Sequence, residues 1–558
     1  MIGASHLHRQ ALAAEQAGNR AEARALYARA LEAEPLNATL INSIGVAHLR
    51  MAEPARAADL FARARKIDPA TLDYSINHAI ALGRAGRHRD AATMLAAVED
   101  IGRDQARYWS ARGNAEQHSY EFASAQASYD EVLRRDPRHG RALHGRARVA
   151  LERGQADAIE RIDRALAVTP EDARLWQAKA MALDAAGQNE EAIALARQIV
   201  AQAPHWVEGL NTLAQLRLAG GDEHFADHFA EAVRQTNPPD AVYLAWAKTL
   251  GGLDFFEEAL AVAAHAKDKV REKRVFALLE AVYAGMAGDV ARAEGIFAHS
   301  TRNTREWREH GARHDIRMGR IAQAEETLGE LIDAGGPAVN LWALRDVCWR
   351  LLNDERHEWL HGRENLVRPL ALGDLEGLDE AIAFLRELHR GAGLPLGQSV
   401  RGGTQTRGRL FQREEPVLAR LREMIMDTLD TYRAGLPPHD PDHPVLRYRA
   451  QAWRITHSWS VRLPGAGFHT SHIHPLGVLS SALYLVVPPA VEDAEKSGHL
   501  EIGRPPPDLN TDLEPLHIVK PERGKLALFP STLYHGTRNF AEGERMTVAF
   551  DVSAGDVG

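Results

Sequence analysis

A chain of 558 residues is longer than one hydrophobic core usually supports, so several domains are expected. The formal net charge of -9 gives no electrostatic reason to expect a nucleic acid or an anionic membrane as partner. The single cysteine, Cys348, excludes an intrachain disulfide, and no run of about 18 apolar residues predicts a membrane span. Because the N-terminus also lacks a basic, then apolar, leader, we expect a cytoplasmic protein.

Residues 1–335 contain an internal repeat with a period of about 34 residues. Prolines recur at this spacing, at Pro35, Pro69, Pro137, Pro170, Pro204 and Pro238. An alanine stands twelve residues before each proline, and a bulky residue follows most of these alanines by four positions, as in Ala57 with Phe61. The small residue lets two helices approach, the bulky one fills the groove, and the proline ends the second helix. The pattern predicts about nine helical pairs stacked as an α-solenoid.

The period and these positions resemble the tetratricopeptide repeat. A single repeat cannot bury its own apolar face, so stacked repeats form one long surface. The resemblance implies that this surface binds a peptide or protein segment, either a substrate or a partner. Dimerisation through the same surface, giving a homodimer, is the alternative. Neither a nucleic acid nor a membrane is expected as a partner.

Residues 336–445 stay mainly helical but no longer repeat. Leu341–Leu352 is strongly apolar, and we expect it to form a helix that caps the solenoid. Helical periodicity returns in Glu415–Ala434, and Gly435 is suited to end that helix. This stretch is predicted to contain a helical connector and the start of the C-terminal domain.

From residue 446 to 558 the apolar pattern changes to period two, which is typical of half-buried strands. Turn residues separate five strand candidates, which are 453–463, 481–487, 516–519, 525–529 and 546–552. Antiparallel strands at this spacing favour a sandwich or a jelly roll. The predicted fold is therefore multidomain α + β, with an N-terminal α-solenoid and a C-terminal antiparallel β domain flanked by helices.

Three histidines lie within six residues, at His469, His472 and His474, and His535 follows 61 residues after the last of them. Residues i and i+2 of a strand point the same way, so His472 and His474 can face one metal that His535 reaches from another strand. Imidazole suits iron, zinc, copper and nickel alike, so the ligand type does not name the metal. Ten residues after His535, Arg545 is suited to bind the distal carboxylate of a 2-oxoacid, with Thr547 on the same strand face.

At this point the chain resembles the Fe(II)- and 2-oxoglutarate-dependent oxygenases of the double-stranded β-helix fold. The matching features are the His-x-His pair, His535, the run 524–531 before it, and Arg545 with Thr547. The resemblance implies Fe(II) bound by His472, His474 and His535, and 2-oxoglutarate held by Arg545 and Thr547. It implies a dioxygenase that hydroxylates its substrate, with no catalytic residue beyond these ligands.

More narrowly, the chain is similar to a bacterial group of such oxygenases that carry N-terminal tetratricopeptide repeats. The shared segments are 398–406, 459–462 and 467–475. Aspartyl/asparaginyl β-hydroxylases share the plan of repeats followed by an oxygenase domain. Contacts with substrate or cosubstrate are expected from Arg401, Gln405, Trp459 and Arg462. The alternative roles are ion pairs for Arg401 and Arg462, a turn for Gln405 and a core position for Trp459.

The chain departs from most of this superfamily at one position, because His474 stands where the third ligand is usually a carboxylate. Either His474 is a ligand, or only His472 and His535 bind and His474 supports them. His469 and Glu501 are further candidates for the third position. Two other functions stay open. One is a cupin-like three-histidine metalloenzyme that uses no 2-oxoglutarate, and the other is a non-catalytic repeat scaffold.

Overall fold

A computed structural model of the chain describes residues 3–373 and 375–554, which fall into two compact units. The first unit, residues 3–175, is built of helices and the turns that join them. The second unit, residues 176–554, contains the later repeats together with two β-sheets. None of the helices within the described residues combines the length and the apolar character needed to cross a membrane.

The helices of the first unit follow the repeat predicted from the sequence. They are α1 (Ala4–Gln16), α2 (Arg20–Ala33), α3 (Ala38–Arg50), α4 (Pro54–Ile67), α5 (Leu72–Arg84), α6 (His88–Ala96), α7 (Glu99–Gly102), α8 (Ala106–His118), α9 (Phe122–Arg135), α10 (Gly140–Glu152) and α11 (Ala158–Leu166). Ala57 and Phe61 of α4 are fully buried, and a Cβ at Gly45 of α3 would lie only 2.6 Å from the Phe61 ring. The close approach of paired helices therefore requires small residues opposite the bulky ones.

The helices that follow continue the repeat and then cap it. They are α12 (Ala173–Ala185), α13 (Asn189–Gln202), α14 (Val207–Ala219), α15 (Asp227–Arg234), α16 (Asp240–Gly251), α17 (Phe256–Ala266), α18 (Lys273–Met286), α19 (Val290–His299), α20 (Arg305–Arg317), α21 (Ile321–Asp333) and α22 (Val339–Leu352). The described residues contain ten helical pairs, one more than the sequence predicted. The additional pair is α16 with α17. There Ala259 takes the alanine position, but neither a bulky residue four positions on nor a proline follows it.

The connector contains short strands as well as helices. Besides α23 (Arg356–Leu360), α24 (Leu378–Arg390) and α25 (Pro416–Ala434), it supplies the strands β1 (Arg368–Ala371), β2 (Val400–Arg401) and β3 (Thr404–Gln405). Strands of two to four residues are too short to show a period-two pattern, so the sequence did not reveal them. All three pair with strands of the C-terminal sheets, at sheet edges.

The C-terminal region forms two antiparallel sheets, in agreement with the predicted jelly roll. Its strands are β4 (Trp453–Pro464), β5 (Phe468–His472), β6 (Leu479–Val486), β7 (Leu500–Ile502), β8 (His517–Val519), β9 (Lys525–Pro530), β10 (His535–Thr537) and β11 (Glu544–Ala554). One sheet has the order β1-β9-β6-β11-β4-β3 and the other β2-β5-β10-β7-β8. Short 3-10 helices stand at Leu410–Gln412, Leu446–Tyr448, Pro489–Glu492 and Pro507–Leu509.

The six-stranded sheet is buried on both faces. Helices α24 and α25 pack on its outer face, where Leu421 and Ile425 join Val548 and Phe550 in one apolar cluster. On the other face, Tyr484 and Phe529 pack with Leu500 and Ile502 of the second sheet. The space between the two sheets holds the candidate site.

Candidate metal centre and anion pocket

Three histidines converge where β5 and β10 pair. His535 opens β10 and lies directly opposite His472, the last residue of β5. His474 lies two residues beyond the end of β5, so chain direction after the strand, rather than strand alternation, brings it to the site. One ring nitrogen from each of His472, His474 and His535 lies within 4.8 Å of the others. The distance between Nε2 of His472 and Nε2 of His474 is 3.1 Å.

The hydrogen bonds of the opposite ring nitrogens decide which tautomers are present. Nδ1 of His472 lies 2.8 Å from the carbonyl oxygen of Thr470, and Nδ1 of His535 lies 3.1 Å from that of Leu533. A carbonyl oxygen only accepts, so both Nδ1 atoms carry the proton and both Nε2 atoms present a lone pair. Burial lowers the pKa of His472 to about 3 and holds that of His535 well below its ordinary value, which keeps both rings neutral.

His474 is oriented by a carboxylate that the sequence analysis did not single out. Its Nδ1 donates to Oδ1 of Asp551, a mostly buried residue of β11. Asp551 lies on the face of β11 that carries Arg545, Thr547 and Ala549, because these residues follow one another at intervals of two. A charged residue at an inward position of an apolar strand was the available signal. A carboxylate hydrogen-bonded to a ligating imidazole fixes its tautomer and raises its basicity.

The donor set fits a metal ion. One ring nitrogen of each of the three histidines lies within 4.8 Å of the others, and Nε2 of His472, which carries a lone pair, lies 3.1 Å from Nε2 of His474. A metal ion is the kind of group that so close a set of ring nitrogens can bind. The carboxylate of Asp551 places a negative charge on the far side of the His474 ring, as is common for histidines that bind a metal.

We expect Asp551→Asn to weaken metal binding about 10- to 100-fold, because a neutral amide does not raise the basicity of the His474 ring as a carboxylate does. Titration of the metal-free protein with Co(II) measures this affinity. Glu501→Gln is the control, since Glu501 bonds Arg504 and Arg538 instead of a histidine. Equal affinities for the two variants would contradict the assigned role of Asp551.

The histidines open into a cavity between the sheets that is partly open to solvent. Arg545 and Thr547 line it from β11. Arg545 is 2 % exposed, and its guanidinium lies over the ring of Tyr484, 5.3 Å from the ring centroid. Its Nε has no hydrogen-bond partner, and it forms no ion pair with any carboxylate of the described residues. Burial lowers the pKa of Arg545, and an unpaired buried cation is costly unless an anionic ligand joins it.

The four other predicted contacts divide into two groups. Gln405 and Trp459 line the cavity, and the Trp459 ring lies 5.4 Å from that of His474. Arg462 does not line it, because it alternates with the inward-facing Trp459 and Val461 on β4 and pairs outside with Glu544 at 2.6 Å. The Arg401 side chain pairs with Asp254, which follows α16, at 2.6 Å.

The two alternative ligands also have other partners. His469 lines the cavity, and its Nδ1 lies 3.1 Å from Oγ of Ser399. Glu501 is held by two arginines, as above, and lies opposite Gly536 in the pairing of β7 with β10. Among the described residues, the ligand atoms of these two do not join the cluster formed by the other three histidines.

Known protein families match parts of both halves of the chain. Residues 457–551 match the family described as "Putative 2OG-Fe(II) oxygenase", and residues 8–70, 111–158 and 156–205 match the tetratricopeptide repeat. The N-terminal half therefore carries tetratricopeptide repeats, and the C-terminal end carries a domain of that oxygenase type.

More distant similarities involve single proteins. Protein FlbA of Caulobacter vibrioides is 29 % identical over 151 residues, which is 27 % of this chain and 25 % of that protein. The match thus spans about a quarter of the length of this relative. Among solved structures, a tetratricopeptide repeat protein from Parabacteroides merdae has 16 % identity and a TM-score of 0.35, covering 44 % of this chain and 97 % of that one. Yeast Tom70 has 10 % identity and a TM-score of 0.34, covering 64 % and 97 %.

Proposed function

We propose that this protein is an Fe(II)- and 2-oxoglutarate-dependent oxygenase that hydroxylates a peptide or protein substrate. The observation that carries the proposal is the unpaired, buried Arg545, which faces the same cavity as three converging imidazoles. A metal centre alone does not need a buried cation. A metal centre that works with a dicarboxylate does, because the end remote from the metal requires a partner.

Each described residue has a separate task in this proposal. His472, His474 and His535 hold Fe(II), and Asp551 orients His474. Arg545, with Thr547 beside it, binds the distal carboxylate of 2-oxoglutarate. When bound, Fe(II) supplies the dioxygen chemistry that puts one oxygen atom into succinate, with release of CO2, and the other into the substrate as a hydroxyl group. The buried walls around Arg545 and His535 limit the access of water.

The class of substrate rests on the tetratricopeptide repeats, whose stacked helices offer a long surface for an extended chain. Because the repeats and the cavity belong to one molecule, a peptide bound to the repeats would have a raised effective concentration at the cavity. The oxygenase domain by itself does not select between a peptide and a small molecule.

Succinate formation tests the activity. We expect the Fe(II)-loaded protein to convert 2-oxoglutarate to succinate and, with a substrate peptide, to add the mass of one oxygen atom to it. Mass spectrometry of peptides incubated with and without 2-oxoglutarate measures both products. Tight metal binding without any 2-oxoglutarate turnover would instead favour the cupin-like three-histidine function, and loss of both would favour the scaffold.

A further inference from the structure

One segment of the connector, residues 391–397, lies on the repeat helices of the second unit. Leu394 and Leu396 pack into the apolar cluster that includes Leu210, Ala214 and Leu250 of α14 and α16. A Cβ at Gly393 would overlap Ala219, and a Cβ at Gly252 would lie 2.9 Å from Cα of Gly397. The segment therefore crosses α14 and reaches the end of α16 in close backbone contact. Both are first helices of their repeats.

Gln215 of α14 binds the main chain of this segment at two points. Its Nε2 donates to the carbonyl oxygen of Leu394 at 3.0 Å, and its Oε1 accepts from the amide of Leu396 at 2.8 Å. Pro395, between them, has no N–H and favours an extended backbone, so the two leucines offer the groups that a side-chain amide can bind. The recognition is that of an extended peptide, and here the chain itself supplies the peptide.

The segment leads directly into the wall of the metal centre. Gln398 and Ser399 line the cavity. Oγ of Ser399 lies 3.1 Å from Nε2 of His472, so this hydroxyl stands beside the nitrogen proposed to bind the metal. The carbonyl oxygen of Ser399 accepts from the amide of Thr470 at 3.0 Å. Only two residues separate Leu396, bound by Gln215, from a side chain that contacts a proposed ligand.

We propose that Gln215 is a positioning residue of the oxygenase site, acting from within the repeats. Through Leu394 and Leu396 it holds Gln398 and Ser399 against the histidines. The repeats are thus a structural part of the active site as well as a surface for partners. The face of α14 that carries Gln215 is already occupied by the chain itself, so a substrate peptide has to bind elsewhere on the repeats. The kinetic part of this proposal rests on the proposed function.

The test uses the full-length protein with Gln215→Ala and Gln215→Glu, the second of which keeps the acceptor and loses the donor. In Gln215→Ala we expect hydrogen exchange in residues 393–401 to become about tenfold faster, since two hydrogen bonds are lost, and in Gln215→Glu, which loses one, we expect a smaller increase. The visible spectrum of the Co(II)-substituted protein is expected to change, because Ser399 no longer stays beside His472. With 2-oxoglutarate, kcat is expected to fall about tenfold, while KM stays within about twofold because Arg545 lies on the other sheet.

Gln177→Ala is the matched control, because Gln177 of α12 bonds Thr212 instead of the segment. If Gln215→Ala accelerates exchange but keeps the Co(II) spectrum of Gln177→Ala, Gln215 is a structural tie and the proposal is wrong. If the wild-type protein shows no 2-oxoglutarate turnover, the proposed function fails, and the exchange and spectral results still decide the role of Gln215. Should both Gln215 variants misfold, Gly252→Ala displaces Gly397 from α16 without changing Gln215. An unchanged Co(II) spectrum in that variant also overturns the proposal.

Discussion

Arg545→Met is expected to raise the KM for 2-oxoglutarate about a hundredfold or more. A buried charge-assisted pair contributes about 1.5–3 kcal/mol, and the carboxylate left behind would also lose its water without gaining a partner. Steady-state succinate formation at increasing 2-oxoglutarate concentration measures the effect. Arg545→Lys should give an intermediate KM, because lysine keeps the charge but cannot bind a carboxylate at two points.

The stability of the same variant distinguishes a ligand-binding arginine from a structural one. In the absence of 2-oxoglutarate, Arg545 is an unpaired buried cation, so its replacement by Met is expected to leave the free energy of unfolding unchanged or to increase it. A fall in the unfolding midpoint together with an unchanged KM would show that Arg545 serves the fold. Arg462→Ala is the control on the neighbouring strand, and its KM should equal that of the wild type because Arg462 pairs with Glu544 outside the cavity.

Loss of a proposed metal ligand is expected to have the second large effect. His472→Ala and His535→Ala should each weaken Co(II) or Fe(II) binding about a thousandfold, since two remaining ligands hold a divalent ion poorly. Because His474 completes the converging set, His474→Ala should come within about tenfold of these two variants. His474→Asp should keep a measurable site, as it introduces the carboxylate that most of the superfamily has there. Metal titration of the purified variants measures all four affinities.

His469→Ala is the control for this series, because His469 bonds Ser399 and its ligand atoms lie outside the cluster. Its affinity is expected to stay within about tenfold of wild type. If His474→Ala behaves like His469→Ala, then His474 only supports the site, and the three-histidine assignment is wrong. Such a result would leave a two-histidine centre, the alternative already visible in the sequence.

The sequence predicted those parts of the protein that follow local periodicity. The helical pairs are recognisable in the sequence because each pair packs in the same way. A small residue, a bulky residue and a helix-ending proline therefore recur at the same positions. The pair α16 with α17 lacks the bulky residue and the proline, and the sequence did not predict this pair. The longer strands were recognisable from their alternation, whereas β1, β2 and β3 were too short to show one.

The candidate ligands could be chosen from the sequence because clustered histidines and a following arginine are rare in a strand-rich region. Their partners could not. Asp551 lies 77 residues from His474 along the chain, and Arg401 is paired with Asp254, which is 147 residues away. Such partners depend on strand register and on which surfaces dock, and neither is encoded in a local spacing.

By itself, then, the sequence determined the two kinds of architecture, the identity of the three converging histidines, and the arginine that lines the same cavity. Only the tertiary structure decided that Asp551 bonds His474, that Arg401 and Arg462 are engaged in ion pairs, and that Gln215 of a repeat helix bonds the segment leading into the cavity wall. The physical reason is range. Helical and strand periods act over a few residues, whereas the environment of a buried side chain is set by elements brought together from distant parts of the chain.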